Sequence, residues 1–470
     1  MSVCYVTAFL DIERENWQNF RRTFDDYFRD FTPLIDMFKN YNNYHLVVFI
    51  DKKHSERVRQ YVNSLKNITI VDIDEEYLQT NSVLWQRLPR ETEIMNSDAY
   101  KKIVSHRLAF PENTNPRYTL INHAKIDFVN LAAKMVTDQY FCWVDFGYFS
   151  KLENIPKRPL DIDRLDKTKI NYTLINPISI LDSNVLYTLQ NAPEKLGGFF
   201  FFGNRERMAE YQTLFHLVHE SFQKNNIADD DQHLALQCYF AKPDLFALHS
   251  VGGWHKALVA FQQQDLTTIM NHNGSDKGSG HHNYTIYYSK LFDPIREEKL
   301  DLLEFGIGSV NPYIPSNMCG TPGGYKPGSS LRGWKEYFPN AHIYGCDIDK
   351  DILFQEDRIS TFYADQTNRQ VLQDQIVKKD QMYDIIVDDG LHNFTVNWFV
   401  LKEIFSKLKE NGYYIIEDIC NFDQSVYKDP FLSEIEFKYI QIPNPLNTSD
   451  NNIVVARRKG KPIQELAFDN

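Results

Sequence analysis

Between residues 301 and 420 five apolar segments recur, each carrying an acidic residue at or next to its end: LLEFG, AHIYGCDID, STFYADQ, YDIIVDDG and YYIIEDI. Short apolar runs separated by helix-like stretches predict strands joined by crossovers, and so a largely parallel sheet with helices on both faces. In such a sheet, ligand-binding groups gather beyond the carboxyl ends of the strands, where the strand order reverses. Two further segments, FKYIQI and NNIVVARRK, lie too close together for a helical crossover, so they must pair antiparallel and complete a sheet of seven strands.

The first half is α/β as well, but less regular. Its strand-like segments are CYVTAFLDI, YHLVVFID, NITIVDID, QYFCWVDFGYF and LGGFFFFGN, with amphipathic helical patterns near 13–39, 54–65 and 205–224. A chain of 470 residues is longer than one core requires, since domains usually run to roughly 100–200 residues. The polar stretch NHNGSDKGSGHHNY at 271–284 opens the second regular pattern, and the join falls near 250–270. Two α/β domains are predicted, 1–258 and 262–470, each with its own core.

Composition removes several classes of partner. A net charge of -12 with no Lys/Arg run leaves no footprint for nucleic acid. No apolar run approaches the ~20 residues of a membrane span, and MSVCYVTAFLDIEREN lacks the pattern of an export leader. A soluble cytoplasmic protein is expected, of a bacterium or of a virus-infected host cell. The six cysteines show no CxxC spacing, which points to buried thiols rather than to a disulfide framework or zinc site.

The strand-end residues of the second half carry the chemistry. After the first strand, Gly306 and Gly308 let backbone approach a cofactor while Glu304 can accept a hydrogen bond from it. Asp347, closing the second, can hold both ribose hydroxyls of a nucleoside. The Pro/Gly-rich insert 311–328 between them cannot be helix and can cover a bound ligand; the helix then starts with Ser329 or Ser330 as N-cap and stops before Pro339. Asp365 can accept from an adenine amino group. Asp388-Asp389 and Glu417-Asp418 at neighbouring strand ends have no basic residue beside them in sequence, and would repel one another unless a cation lies between them. Oxygen ligation by Asp389, Glu417 and Asp418 suits Mg²⁺ (or Mn²⁺) better than zinc. His392, three residues past Asp389, is placed to take a proton from a substrate hydroxyl.

Over 272–420, the motifs GSDKGSGHHNYTIYY, LLEFGIG, YKPGSSLRGWKEYFPNAHIYGCDID, DDGLHNF and IIEDI resemble, in order, the macrocin O-methyltransferase-like family of sugar-modifying class I methyltransferases. The resemblance implies a Rossmann-like domain that uses S-adenosyl-L-methionine, with Mg²⁺ on Asp389, Glu417 and Asp418 and His392 as general base. Glu304, Asp347 and Asp365 fall where that family binds its cofactor, and Lys277 and Tyr284 lie in its cofactor-side motif.

In the first half, NHAKIDFVNLA, then WVDFG, GGFFFFGN and ADDDQHLAL resemble HtrL/WlaTC-type bacterial glycosyltransferases. That resemblance implies a GT-A-like domain binding a nucleotide sugar. Asp145 would be its metal-donor residue, Lys125 and Asp127 donor-side groups, and one of Asp229, Asp230 or Asp231 an acceptor-side acid, with Asp231 the choice. The Asp-x-Asp of such enzymes is reduced here to Asp145-x-Gly147, which leaves metal dependence open. Together the two halves imply a bifunctional enzyme acting on a glycan or glycoside acceptor. The alternative is a single-activity methyltransferase whose first domain only binds the acceptor. Oligomeric state, sugar and hydroxyl are not specified by the sequence.

Overall fold

Side chains alternate across the first strand, so both faces of its sheet must be covered: Cys4 and Val6 pack into one apolar core, Val3 and Tyr5 into the other. The computed structural model describes residues 3–39, 41, 44–321 and 324–463; residues 322 and 323 of the predicted insert lie outside the described residues. The chain divides into two compact units, Met1–Gln263 and Gln264–Asn470.

In the first unit β1 (Val3–Phe9), β2 (Tyr44–Asp51), β3 (Ile68–Ile73) and β4 (Tyr140–Val144) are parallel. β5 (Ile170–Leu174) and β7 (Phe246–Ser250) run parallel to each other, and β6 (Leu196–Asn204) lies antiparallel between β4 and β5. The order is β3-β2-β1-β4-β6-β5-β7, the α/β arrangement expected of a GT-A-like domain. Two of these strands, β5 and β7, were not among the expected segments. INYTL and FALHS are short and interrupted by polar residues, and pairing with β6 and with each other makes them strands. The helix expected from 13 starts only at Phe24, where Thr23 and Asp26 form a reciprocal cap.

The second unit contains β8 (Asp301–Phe305), β9 (His342–Asp347), a two-residue edge β10 (Gln355–Glu356), β11 (Ile359–Tyr363), β12 (Tyr383–Asp388), β13 (Leu408–Ile416), β14 (Ile435–Gln441) and β15 (Asn452–Arg458). Its seven principal strands follow the order β11-β9-β8-β12-β13-β15-β14, with β10 added antiparallel outside β11. β14 and β15 pair antiparallel, as their spacing requires. This is the Rossmann-like class I arrangement, and its order reverses at β8, flanked by β9 and β12. The helix after the insert spans Ser329–Tyr337, but its N-cap is Gly328 at φ 79° rather than Ser329 or Ser330. Both serines lie inside the first turn, the Ser329 hydroxyl donating to the Lys326 carbonyl at 2.8 Å and the Ser330 hydroxyl to Glu304 at 2.7 Å. Among the described residues no helix is long and apolar enough to cross a membrane.

Candidate active sites

Strand register assembles the site of the second unit. Phe305 pairs with Cys346 and with Asp388, and Asp388 pairs with Ile416, so the residues just past β8, β9, β12 and β13 stand side by side. Backbone bonds extend this by one residue: Asp389 N–H donates to Phe305 at 3.0 Å and Glu417 N–H to Asp388 at 3.0 Å. Gly306 sits at φ 80°, and a Cβ there would meet the Asp389 carbonyl oxygen at 1.9 Å. Only glycine permits that turn and that close approach together.

A cavity opens at this edge, lined by Gly306, Gly308, Asp347, Asp365, Asp389 and His392 among others. Asp347 is fixed in it by accepting from Ile307 N–H through one oxygen and Asp349 N–H through the other, both at 2.9 Å. Burial raises its pKa above the usual carboxylate range. Asp365 accepts from Thr367 N–H and hydroxyl at 2.9 and 2.7 Å. Glycine backbone after β8, the acid that ends β9 and an acid after β11 form a donor and acceptor set that fits a nucleoside.

Glu304, Lys277 and Tyr284, expected on the cofactor, are not among the residues lining this cavity; they are buried and paired with other side chains. Glu304 is fully buried and accepts from Ser330 Oγ at 2.7 Å and Trp334 Nε1 at 2.6 Å. Lys277, 1% exposed, donates to Asp389 and to Glu417, with Glu304 at 3.5 Å. Burial opposes its charge, yet Asp389, Glu417 and Glu304 hold the ammonium well above the ordinary lysine range. The expectation that these acids lack a basic partner is therefore corrected: the partner comes from far away in sequence. Tyr284 donates to Asp418 Oδ1 at 2.5 Å, and Tyr288, one helical turn later, donates to the other oxygen of Glu417.

Glu417 is thus engaged on both oxygens and does not join the other two expected metal ligands. The groups that converge are Asp389, Asp418 and His392, whose ligand atoms lie within 4.8 Å of one another. His392 Nε2 is 3.2 Å from both Asp389 Oδ1 and Asp418 Oδ2. Burial works against its charge, but the hydrogen bond to Asp389 and the charges of Asp418 and Asp389 push it up to about 9. Two carboxylate oxygens supply the hard donors that a divalent cation such as Mg²⁺ takes, so this set fits one. His392 and Asp418 both lie in the left-handed region, at φ 55° and 53°. Sequence reading missed Tyr288 and also Gln366, which donates to Asp388 and accepts from Leu391 N–H at 2.9 Å, fixing the loop that carries His392. The i, i+4 pair Tyr284/Tyr288 in YTIYYSK was the available signal.

The first unit has a second cavity, lined by Arg14, Arg22, Lys125, Asp145 and Asp231 among others. Asp145, just past β4, accepts from Trp143 Nε1 at 2.6 Å. Lys125 Nζ lies 3.1 Å from Asp145, 2.9 Å from Asp231 and 2.9 Å from the Gly198 carbonyl. Burial pushes Asp231 up to about 6 while Lys125 opposes the shift. The ammonium occupies the position between the two acids. Asp230 caps the helix Asp231–Ala241, and Asp229 pairs with His233 at 2.9 Å. Asp127 does not reach the cavity: it accepts from Ser82, Gln212 and His216 at 2.5, 2.8 and 2.6 Å.

Sequence comparison supplies relatives for each region. Protein HtrL of Escherichia coli (strain K12) is 26% identical over 285 residues, 57% of this chain and 95% of that protein. The carboxyl-terminal region resembles macrocin- and mycinamicin-type O-methyltransferases. A relative named 8-demethyl-8-alpha-L-rhamnosyl tetracenomycin-C 2'-O-methyltransferase, of Streptomyces olivaceus, is 30% identical over 184 residues. That match covers 38% of this chain, which spans 44% of the relative's length. Among solved structures, the MycE methyltransferase of mycinamycin biosynthesis with Mg and SAH superposes with a TM-score of 0.32 at 17% identity, over 71% of this chain and 77% of that one. So loose a superposition carries no weight. The family described as "Bacterial protein of unknown function (HtrL_YibB)" matches residues 1–263, more than half of the sequence, and the chain belongs to that family.

Proposed function

We propose that this chain is a bifunctional glycan-modifying enzyme, whose first unit transfers a sugar from a nucleotide-sugar donor and whose second methylates a sugar hydroxyl. The observation that carries the reading is the convergence of Asp389, His392 and Asp418 at the rim of the glycine-lined cavity at the β8 switch point. Asp347 and Asp365 bind the nucleoside of S-adenosyl-L-methionine, and Asp389 and Asp418 hold a divalent cation. When bound, the former supplies an activated methyl group and the latter lowers the pKa of a coordinated hydroxyl. With Asp389 and Asp418, which otherwise hold His392 charged, neutralised by a cation, His392 can accept the hydroxyl proton at Nε2; Lys277 keeps Asp389 ionised and Glu417 in place, and Tyr325, against Gly308, helps exclude water. The name of one relative, an O-methyltransferase for an alpha-L-rhamnosyl tetracenomycin-C, supports a glycoside acceptor.

In the first unit Asp145 and Asp231 face the donor and acceptor, and Lys125 sets their spacing. The test is a two-step assay on one acceptor by the full chain, following mass gain from sugar and then from methyl. Asp145→Ala should stop sugar transfer alone, and His392→Ala should slow methylation alone by roughly 10²–10⁴-fold. Methylation without any sugar transfer or donor hydrolysis would favour the reading in which the first unit only binds acceptor.

A further inference from the structure

Beside the cavity that holds Lys125 and Asp145, the first unit has a more open one of about 500 Å³, lined by Phe199, Gln232, Trp254, His255 and Asn154 among others. Phe199 and Gln232 line both cavities. The reason they meet lies in β6. Gly198 has no side chain, and a Cβ there would fall 2.6 Å from Asp231 Oδ2 and 3.0 Å from Gln232 Cγ, so the start of the helix Asp231–Ala241 packs directly on the strand. The next residue is the exception in a run of phenylalanines: Phe200, Phe201 and Phe202 are at most 2% exposed, whereas Phe199 is only half-buried. Lys125 Nζ lies 5.8 Å from the centre of its ring, and the rings of His255 and Trp254 lie at 4.3 and 5.8 Å.

Gly252, at φ 78°, turns the chain after β7 and brings Trp254 and His255 back to Phe199. All three rings are half-buried, so the cavity wall keeps a cluster of aromatic surface partly in water. Large aromatic groups are normally spent on the core or on a binding partner. Two of the lining residues also carry a buried polar atom for which the chain supplies no hydrogen bond, Asn154 Oδ1 and His255 Nδ1, and Asn154 as a whole is 4% exposed. Such atoms are rarely left unpaired, and a bound molecule rich in hydroxyl groups offers them partners.

We propose that this cavity is the acceptor site of the first unit and that it takes an uncharged saccharide. The inference rests on the sugar-transfer reading above and gives its second substrate a place. A pyranose presents an apolar C–H face, which an aromatic ring covers, and a rim of hydroxyls, which amide and imidazole groups such as Gln232, Asn154 and His255 can meet. The charged groups at the edge, Lys151, Glu153 and Lys256, are exposed and of both signs, so nothing there selects a phosphate or a cation. A sugar seated against Trp254 and Phe199 has its end towards Asp231, which precedes Gln232 in the helix, lines the neighbouring cavity and is held by Lys125 at 2.9 Å.

The full chain labelled with 5-fluorotryptophan carries six indole reporters, and the Trp254 fluorine resonance is identified by its absence in Trp254→Phe. Titration with methyl rhamnoside, methyl galactoside, methyl glucoside, lactose and cellobiose should shift that resonance saturably with at least one of them, separately from any response of the second unit's Trp334 and Trp398. In the sugar-transfer assay, Trp254→Ala should raise the acceptor concentration for half-maximal rate at least tenfold, and Trp254→Phe, which keeps an aromatic face, should recover most of that loss. A Trp254 resonance that none of these saccharides moves, or an unchanged half-saturation in folded Trp254→Ala, would overturn the proposal. A saturable Trp254 shift in a protein that neither transfers sugar nor hydrolyses a nucleotide-sugar donor would instead retire the transferase reading and leave the saccharide site standing.

Discussion

Replacing Lys277 by methionine tests how the second unit tolerates its own acids. The side chain is 2% exposed and pairs with Asp389, Glu417 and Glu304, of which the two glutamates have no exposed side-chain surface. Methionine fills similar volume, so the change removes charge and hydrogen bonds with little cavity. Breaking a buried ion pair by deleting one partner costs about 3–5 kcal/mol, because the remaining charge stays buried and uncompensated. Three acids lose one partner here, but burial already pushes Glu304 and Glu417 upward, so protonation of one limits the loss to that same range. At about 2–4 °C per kcal/mol for a unit of this size, the midpoint of its unfolding transition should fall by roughly 6–20 °C at pH 7. The variant's carboxyls have raised folded pKa values, so they bind more protons folded than unfolded and the deficit shrinks as pH falls towards 5. Calorimetry of the full chain at both pH values is the assay. A loss under about 1 kcal/mol at pH 7, or a larger loss at pH 5, would refute the assignment of Lys277 as the internal counter-ion.

Asp347→Ala should weaken binding of S-adenosylhomocysteine by about 1.5–3 kcal/mol, the worth of charge-assisted hydrogen bonds, as read by titration calorimetry. An unchanged dissociation constant would remove Asp347 from the cofactor site. Gly306→Ala places a methyl 1.9 Å from the Asp389 carbonyl at φ 80°, so cofactor binding and methylation should both be lost while the first unit's unfolding transition stays put. For His233, burial opposes a charge that Asp229 and Asp230 nevertheless hold up to about 9. Its contribution to the first unit is complete below the unfolded value of about 6.5 and lost as pH rises through 9, roughly 3 kcal/mol in all. His233→Gln should flatten that decline in denaturant titrations, and an equal slope in both proteins would reject it.

The strand-end acids were legible because one-dimensional pattern and three-dimensional position coincide there: an apolar run stops where its strand leaves the sheet, and the next residue is at the edge. Asp347, Asp389 and His392 follow from that rule. Lys277 does not, since its partners lie 112 and 140 residues away and no local pattern records a pairing at that distance. Glu304 was placed on the correct strand, but its side-chain partners were not legible. Register fixes where its backbone ends, whereas Ser330 and Trp334 on the following helix decide where its carboxylate points. Asp127 shows the same limit, two residues from Lys125 on one helix yet turned towards Ser82, Gln212 and His216.

The left-handed backbone at His392 and Asp418 bears on how this protein can be altered. Residues held there without being glycine carry roughly 1 kcal/mol or more of conformational strain, which the surrounding structure holds in place. Glycine at 392 relieves the strain and deletes the imidazole in one step. Selection for thermal survival alone would therefore drift towards substitutions that delete the base proposed above, and a stabilised descendant of this chain has to be screened for methyl transfer at every round.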